Sequence, residues 1–420
     1  MKKLLSLILF ILVTVVTYAG GYRVSIQGQR ALAMGHTGVA VVNSAELVFF
    51  NPAGLVYLES KINVSAGANA VFGQVAFQNE LTGISSETDN PVGTPLELYG
   101  SYKVNDWMTL GLGVYTPYGS EVVWPTDWAG SHLVNNIELA AIYIQPIVSF
   151  KLSDVFSIGG GPIFVTGSVN FNRNLSRTLA DIDGNRSNVT LDDSGVSNWG
   201  WSIGAMFNPS ERLRVGFNYR SEIIIKAEGG EATFSNVPNS PGVPFSNGTT
   251  TFDANLPLPA ELTVGVSYQL NKKWLFAFDY NRQYWSVYKS LDIDFGNTPT
   301  GPDSRNLRNY KNSSVYRFGT QYEATPKITL RAGYYYDETP VRPGFFAPET
   351  PRNDSQGFTG GLSFAVTPKL AIDASFLYLR FSEVEASYDY ATESNGQFSS
   401  FGGTYKSSVF SPGLGVTYKL

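Results

Sequence analysis

His36 and His132 are the only two histidines in this 420-residue chain, and it has no cysteine. The two imidazoles lie far apart without metal-ligand spacing, and the lack of thiols excludes both a thiolate metal site and a disulfide framework. His132, with serines nearby in sequence, leaves room for a histidine-assisted serine hydrolase. That reading requires an acid or amide to orient the ring. Asp181, Asp183, Asp192 and Asp193 crowd one polar stretch, but not at calcium-loop spacing, and read as solvated charges. Gly159-Gly160-Gly161 matches no phosphate-binding fingerprint and reads as close packing or a bulge in a strand. The residues therefore predict no catalytic constellation, no metal site and no cofactor.

The elements around these residues are strands. From Gly413 to the end, Leu414, Val416, Tyr418 and Leu420 share one face, and Gly415, Thr417 and Lys419 share the other. The same period of two sets Leu213, Val215, Phe217 and Tyr219 against Arg214, Gly216, Asn218 and Arg220. It recurs at 274–281, 328–336 and 370–378. Short polar connections (Asn105-Asp106, Ser153-Asp154, Asn271-Lys272, Thr325-Pro326, Thr367-Pro368) alternate with long ones near 176–194, 229–250, 296–309, 339–353 and 385–402. Short turns at one end and long loops at the other are the pattern of an outer-membrane barrel, and the hairpins sum to about fourteen strands. Trp274 and Trp285 bracket one apolar stretch. At the usual rise and tilt it would span about 26 Å, which predicts that both rings sit in the interfacial belts.

Composition agrees with an exported β-protein. Aromatics are 14% of residues and glycines number 42, natural for many strands joined by tight turns. Lys2 and Lys3, the short apolar run Leu4 to Val16 and Thr17-Tyr18-Ala19 read as an export signal over residues 1–19. Removing its two lysines takes the formal charge from −5 to −7, which argues against nucleic acid as a partner. Residues 20–58 lack strand alternation and contain the turn signal Asn51-Pro52. Such a segment is too small to bury its own core. It is expected to be a compact unit packed against a barrel formed by residues 59–420.

Five short motifs resemble the FadL-type transporters of the outer membrane, in family order over nearly the whole chain. They are Asn51-Pro52-Ala53, the pair Asn198-Trp199-Gly200-Trp201 and Tyr219-Arg220-Ser221-Glu222, then Asn255-Leu256-Pro257, Tyr284-Trp285-Ser286 and Asp337-Glu338-Thr339-Pro340-Val341. The resemblance implies a transmembrane antiparallel β-barrel of about fourteen strands in a bacterial outer membrane, plugged by an N-terminal hatch. It implies passive, gated uptake of long-chain fatty acids or other hydrophobic molecules. Ligand would pass an internal site and leave sideways at a kinked third strand, here near Tyr118-Gly119. Outer-membrane lipid would surround a monomer.

The same resemblance assigns the anionic end of a ligand to Arg173 and Lys311. It also brings Tyr22, in Gly20-Gly21-Tyr22, into the binding site. The need for cations is physical, since a carboxylate in an apolar pocket costs several kcal/mol unless it meets a charge or donors. Three alternatives stay open: a porin for polar solutes, an outer-membrane lipid hydrolase, and a barrel whose long loops bind partners.

Overall fold

The computed structural model describes Arg23 and residues 25–296, 303–392 and 398–420. The expected export signal and Tyr22 lie outside the described residues. Among those described, 21 ladder segments form one antiparallel sheet, and they run end to end as 14 barrel strands, in chain order 62–79, 85–105, 108–123, 136–151, 156–174, 188–207, 213–235, 248–269, 274–295, 304–325, 328–337, 355–365, 370–392 and 398–419. The ring closes where the first strand (62–79) lies beside the last (398–419), with Val64 opposite Tyr418 and Phe77 opposite Tyr405. Closure leaves neither end strand with an open edge of N–H and C=O groups against hydrocarbon.

The alternation read from sequence sorts the side chains. Phe276, Leu330, Phe376 and Val416 point outward and are exposed, whereas Ala277, Arg331, Leu377 and Thr417, one residue on, are buried. A greasy exterior around a partly polar interior suits a bilayer and not water. The belt expectation fails at one of its two residues. Trp274 is outward and stacks on Phe276. Trp285 is 1% exposed, with its indole N–H on Gln283 Oε1 at 2.6 Å. The chain leaves strand geometry at Tyr284 and makes a 3-10 turn, Trp285–Val287. An odd separation puts the two rings on opposite faces, and Trp285 continues the buried face of Leu275, Ala277 and Gln283, so the spacing of the two tryptophans does not measure the membrane.

Residues 25–58 form two one-turn helices, Gln29–Leu32 and Leu47–Phe50, and a 3-10 turn, Pro52–Tyr57. Polar wall side chains hold this segment from several sides. Arg30 meets Asp373 on the thirteenth strand at 3.0 Å. The N–H groups of Gly38 and Val39 donate to Asp279 of the ninth strand at 2.8 and 3.2 Å. Ser149 and Ser157, on the fourth and fifth strands, donate to the Ala53 carbonyl. Bonds to strands around the ring mean that the ring encloses the segment. Close approach needs glycine in places: a Cβ on Gly319 would stand 2.2 Å from the Met34 carbonyl oxygen.

Candidate functional site

On the long-loop side of the enclosed segment, inward side chains of the third to ninth strands surround an apolar cavity. Its wall includes Ile137 and Leu139, then Phe171, Leu191, Ile225, Phe252 and Ile293, with Ser120 as one of its few polar groups. Each is buried among its neighbours except Ile137, which is half-buried. They come from alternate positions of adjacent strands, so the cavity follows directly from the period of two. Its volume is about 70 Å³. That holds a few waters but no long acyl chain, so a large ligand can be accommodated only if the cover or the enclosed segment shifts.

The cover is a loop. Glu349 and Thr350 reach the cavity from it, and buried polar contacts pin it. Arg308 pairs with Glu349 and also donates to the Tyr388 hydroxyl at 3.1 Å. The hydroxyls of Tyr310 and Thr350 are 3.2 Å apart. Arg352 binds Asp337 at 2.7 Å and lies over the Trp285 ring. The Trp124 indole N–H donates to the Pro348 carbonyl. A buried ion pair costs several kcal/mol to break by removing one partner, so this cover is held far more firmly than a solvated loop.

The two cations expected at the ligand carboxylate lie apart. Arg173 is half-buried on the strand face that also carries Val169 and Phe171. Its guanidinium donates to the His132 carbonyl at 3.2 Å and to the Ser304 hydroxyl at 3.4 Å. It therefore stands at the rim of the cavity, one alternate position beyond Phe171. Lys311 is exposed, and its backbone N–H donates to the Pro340 carbonyl. The described residues place no partner shared by Arg173 and Lys311.

His132 lies in the loop between the third and fourth strands. Neither ring nitrogen has a serine, carboxylate or amide side chain at hydrogen-bond distance. Its ring meets Phe401 edge-on. Burial, followed by the charges of Arg177, Arg173 and Arg186, pushes its pKa down to about 3. A hydrolase base needs an orienting acceptor, and this ring sits among cations instead.

The third strand (Met108–Val123) is irregular where the family likeness places a kink. Its register against the fourth strand shifts between Tyr115 and Tyr118, so Thr116 and Pro117 form the bulge. Pro117 has no N–H to give a ladder, which favours a bulge there. Tyr118 and Gly119 resume pairing with Ala141 and Ala140. On its other side, pairing to the second strand stops at Leu98–Val114, and the next backbone bond runs from Asp89 N–H to the Val123 carbonyl. The intervening edge is met from inside. Arg23 bridges Tyr118, and the Gln27 amide donates to the Thr116 carbonyl at 2.9 Å.

One carboxylate joins these parts. Glu261 accepts from Arg23 Nε at 3.1 Å and Arg23 Nη2 at 3.2 Å, and from the Tyr118 hydroxyl at 2.9 Å. Asn281 adds a fourth donor. The sequence reading missed Glu261, Asp279 and Asp373. The usable signal was there: each is an acid on the inward face of an alternating strand, where a solvated charge is out of place.

Asn51-Pro52-Ala53 is a contact with the wall. The Asn51 amide nitrogen donates to the carbonyls of Val39 and Ala205 at 2.8 and 3.0 Å, and its oxygen caps the 3-10 turn through Ala53 N–H at 3.2 Å. Pro52 stands at the first helical position, where a missing donor costs nothing. A Cβ on Gly204 would lie 2.2 Å from the Asn51 side-chain oxygen, so the wall is bare where the asparagine lands.

A family model described as outer membrane protein transport protein (OMPP1/FadL/TodX) matches residues 10–420. Outer membrane protein P1 of Haemophilus influenzae is 24% identical over 390 residues, covering 85% of this chain and 83% of that protein. The long-chain fatty acid transport protein of Escherichia coli K12 is 21% identical over 434 residues, covering 93% and 95%. Among solved structures, a Pseudomonas aeruginosa FadL homologue superposes with a TM-score of 0.81 at 19% identity, covering 95% of this chain and 99% of that one. The Ralstonia pickettii toluene transporter TbuX superposes at 0.69 with 20% identity, covering 94% and 98%. At these identities the superpositions speak for the fold alone.

Proposed function

The chain belongs to the OMPP1/FadL/TodX family of outer membrane transport proteins, and from that premise we propose that it takes up hydrophobic molecules through a lumen closed at rest. The observation that carries this reading is the apolar cavity. A pore for polar solutes would line its lumen with solvated groups, whereas here Leu139, Phe171, Ile225 and Phe252 face one another. Apolar walls bind by area and discriminate chain length weakly. Fatty acids, hydrocarbons and similar lipophiles therefore all fit the chemistry. Arg173 at the rim supplies a cation for a ligand that ends in a carboxylate.

In this reading residues 20–58 act as the hatch, seated by Asn51-Pro52-Ala53, and ligand leaves sideways where the third strand lacks its neighbour. Two features support lateral exit. The ladder between second and third strands is interrupted beside Tyr118-Gly119. The segment that faces the interruption is tied by Arg23 to Glu261, which also holds Tyr118. Movement of the segment would thus release the strand edge as well.

A disulfide across the gap tests the route. Pro95 and Thr116 line the same small cleft there, so a Pro95→Cys/Thr116→Cys protein should lose uptake when oxidised and recover it on reduction. Undiminished uptake in the oxidised protein would rule out lateral exit. The role of Arg173 is tested separately. Arg173→Ala should weaken binding of a fatty acid by about 1.5–3 kcal/mol, the range for a charged hydrogen bond, and of the matching alcohol far less. Equal losses would show that Arg173 does not read the carboxylate.

A further inference from the structure

Thr325-Pro326-Lys327 closes the hairpin between the tenth and eleventh strands, and Thr367-Pro368-Lys369 closes the one between the twelfth and thirteenth. The two turns are built alike. In each, the threonine hydroxyl accepts from the lysine N–H at 3.2 Å and from the following N–H at 3.0 Å. The repeat therefore presents Lys327 and Lys369 in the same manner at the short-turn end, the periplasmic end of an outer-membrane barrel. Between them, the inward faces of the eleventh to fourteenth strands and Arg30 of the enclosed segment surround a cavity of about 160 Å³.

Five cations line that cavity: Arg30, Lys327, Arg331, Lys369 and Lys419. Arg30 and Arg331 form its buried floor, each 7% exposed. The acid behind them, Asp373, is already engaged by Arg30, by the Ser363 hydroxyl and by the Thr417 hydroxyl. Arg331 has only neutral partners, the Gln321 side-chain oxygen and the Ser363 hydroxyl. Among the described residues, none of the three lysines makes an ion pair. Asp373, Glu46 and Glu323 act on Arg331, and Glu59 and Asp373 on Lys419, through space only. Four of the five cations thus lack a direct counterion, and like charges gathered in this way repel one another and cost stability. Their convergence on one cavity from separate elements calls for an anion.

We propose that this cavity binds an oxyanion of the phosphate class. A guanidinium fork and several ammonium donors suit a compact group with three or four oxygens. The volume suits one phosphate with a few waters and excludes a bulky ligand. The walls carry Thr329, Ser363 and Thr417, so the site is unlike the apolar cavity and lies off the proposed lateral route. Free phosphate and the phosphate of a phospholipid headgroup share this chemistry.

Titration calorimetry on the purified full-length protein in low salt, with inorganic phosphate as probe, tests it. Wild type should saturate with a Kd below about 1 mM. Lys327→Gln/Lys369→Gln, confined to exposed side chains in turns, should weaken binding about tenfold, and adding Arg331→Gln should abolish it. Heat-modifiable gel mobility confirms that each barrel is folded, and the turn variant keeps the test valid should Arg331→Gln fail to fold. Native mass spectrometry from phosphatidylglycerol nanodiscs separates the sources. Retained lipid that the turn variant loses identifies the headgroup as the occupant, and calorimetric binding without retained lipid identifies free phosphate. Equal heats for wild type and the turn variant, or full displacement by chloride at matched ionic strength, would overturn the site.

Discussion

The two halves of this lumen are built from different materials. Around the enclosed segment, contacts are directional and charged: Arg30 with Asp373, two N–H groups on Asp279, the Asn51 amide between Val39 and Ala205. On the long-loop side the wall is Leu139, Phe171, Leu191, Ile225 and Phe252. Hydrogen bonds and ion pairs fix one position and penalise every other, because a displaced partner is left buried and unpaired. Apolar contacts are non-directional and roughly proportional to area, so they accept many shapes. The first half thus suits a part that must sit in one place, and the second suits a ligand that need not.

That contrast can be broken most sharply at Asp373. Asp373→Leu strands the Arg30 guanidinium and two hydroxyls, and should cost about 3–5 kcal/mol in urea unfolding; a loss under about 1 kcal/mol would mean that the polar seam does not fix the segment. Asn51→Ala leaves two carbonyls and one N–H without partners. It should cost about 2–3 kcal/mol while gel mobility still reports a folded barrel. Loss of the barrel itself would show that the segment and wall fold as one unit.

On the other side, His132 makes stability depend on pH. Its folded pKa near 3 lies below the ordinary 6.5, so the unfolded chain takes a proton first. The contribution is complete above pH 6.5 and drains away as pH falls toward 3. At pH 5 the loss should reach up to about 2 kcal/mol, and His132→Phe should flatten that slope. An unchanged slope in the variant would place the pH dependence elsewhere. The smallest effect is expected in the apolar wall. Leu139→Met conserves volume and should cost less than about 1 kcal/mol, with uptake of a hydrocarbon near wild type. A large loss there would show that the cavity is as shape-specific as the seam.

The sequence by itself determined the barrel. Alternation such as Leu414, Val416 and Tyr418 against Gly415, Thr417 and Lys419 is a local property, and a period of two leaves a strand one outward and one inward face. Alternating turn lengths then set the strand number and the ends, and Asn51-Pro52 marked where the pattern fails. Only the tertiary structure decided which inward residues meet. Arg23 finds Glu261 across 238 positions, and Arg30 finds Asp373 across 343. Such partners depend on the shear of the closed ring and the path of the enclosed segment, which no local period encodes. Trp285 shows the local rule holding at short range, because its odd separation from Trp274 already assigns it the inward face on which it is buried. Arg173 and Lys311 show its limit at the site: the family resemblance proposed both cations, and the fold set one at the cavity rim and left the other exposed.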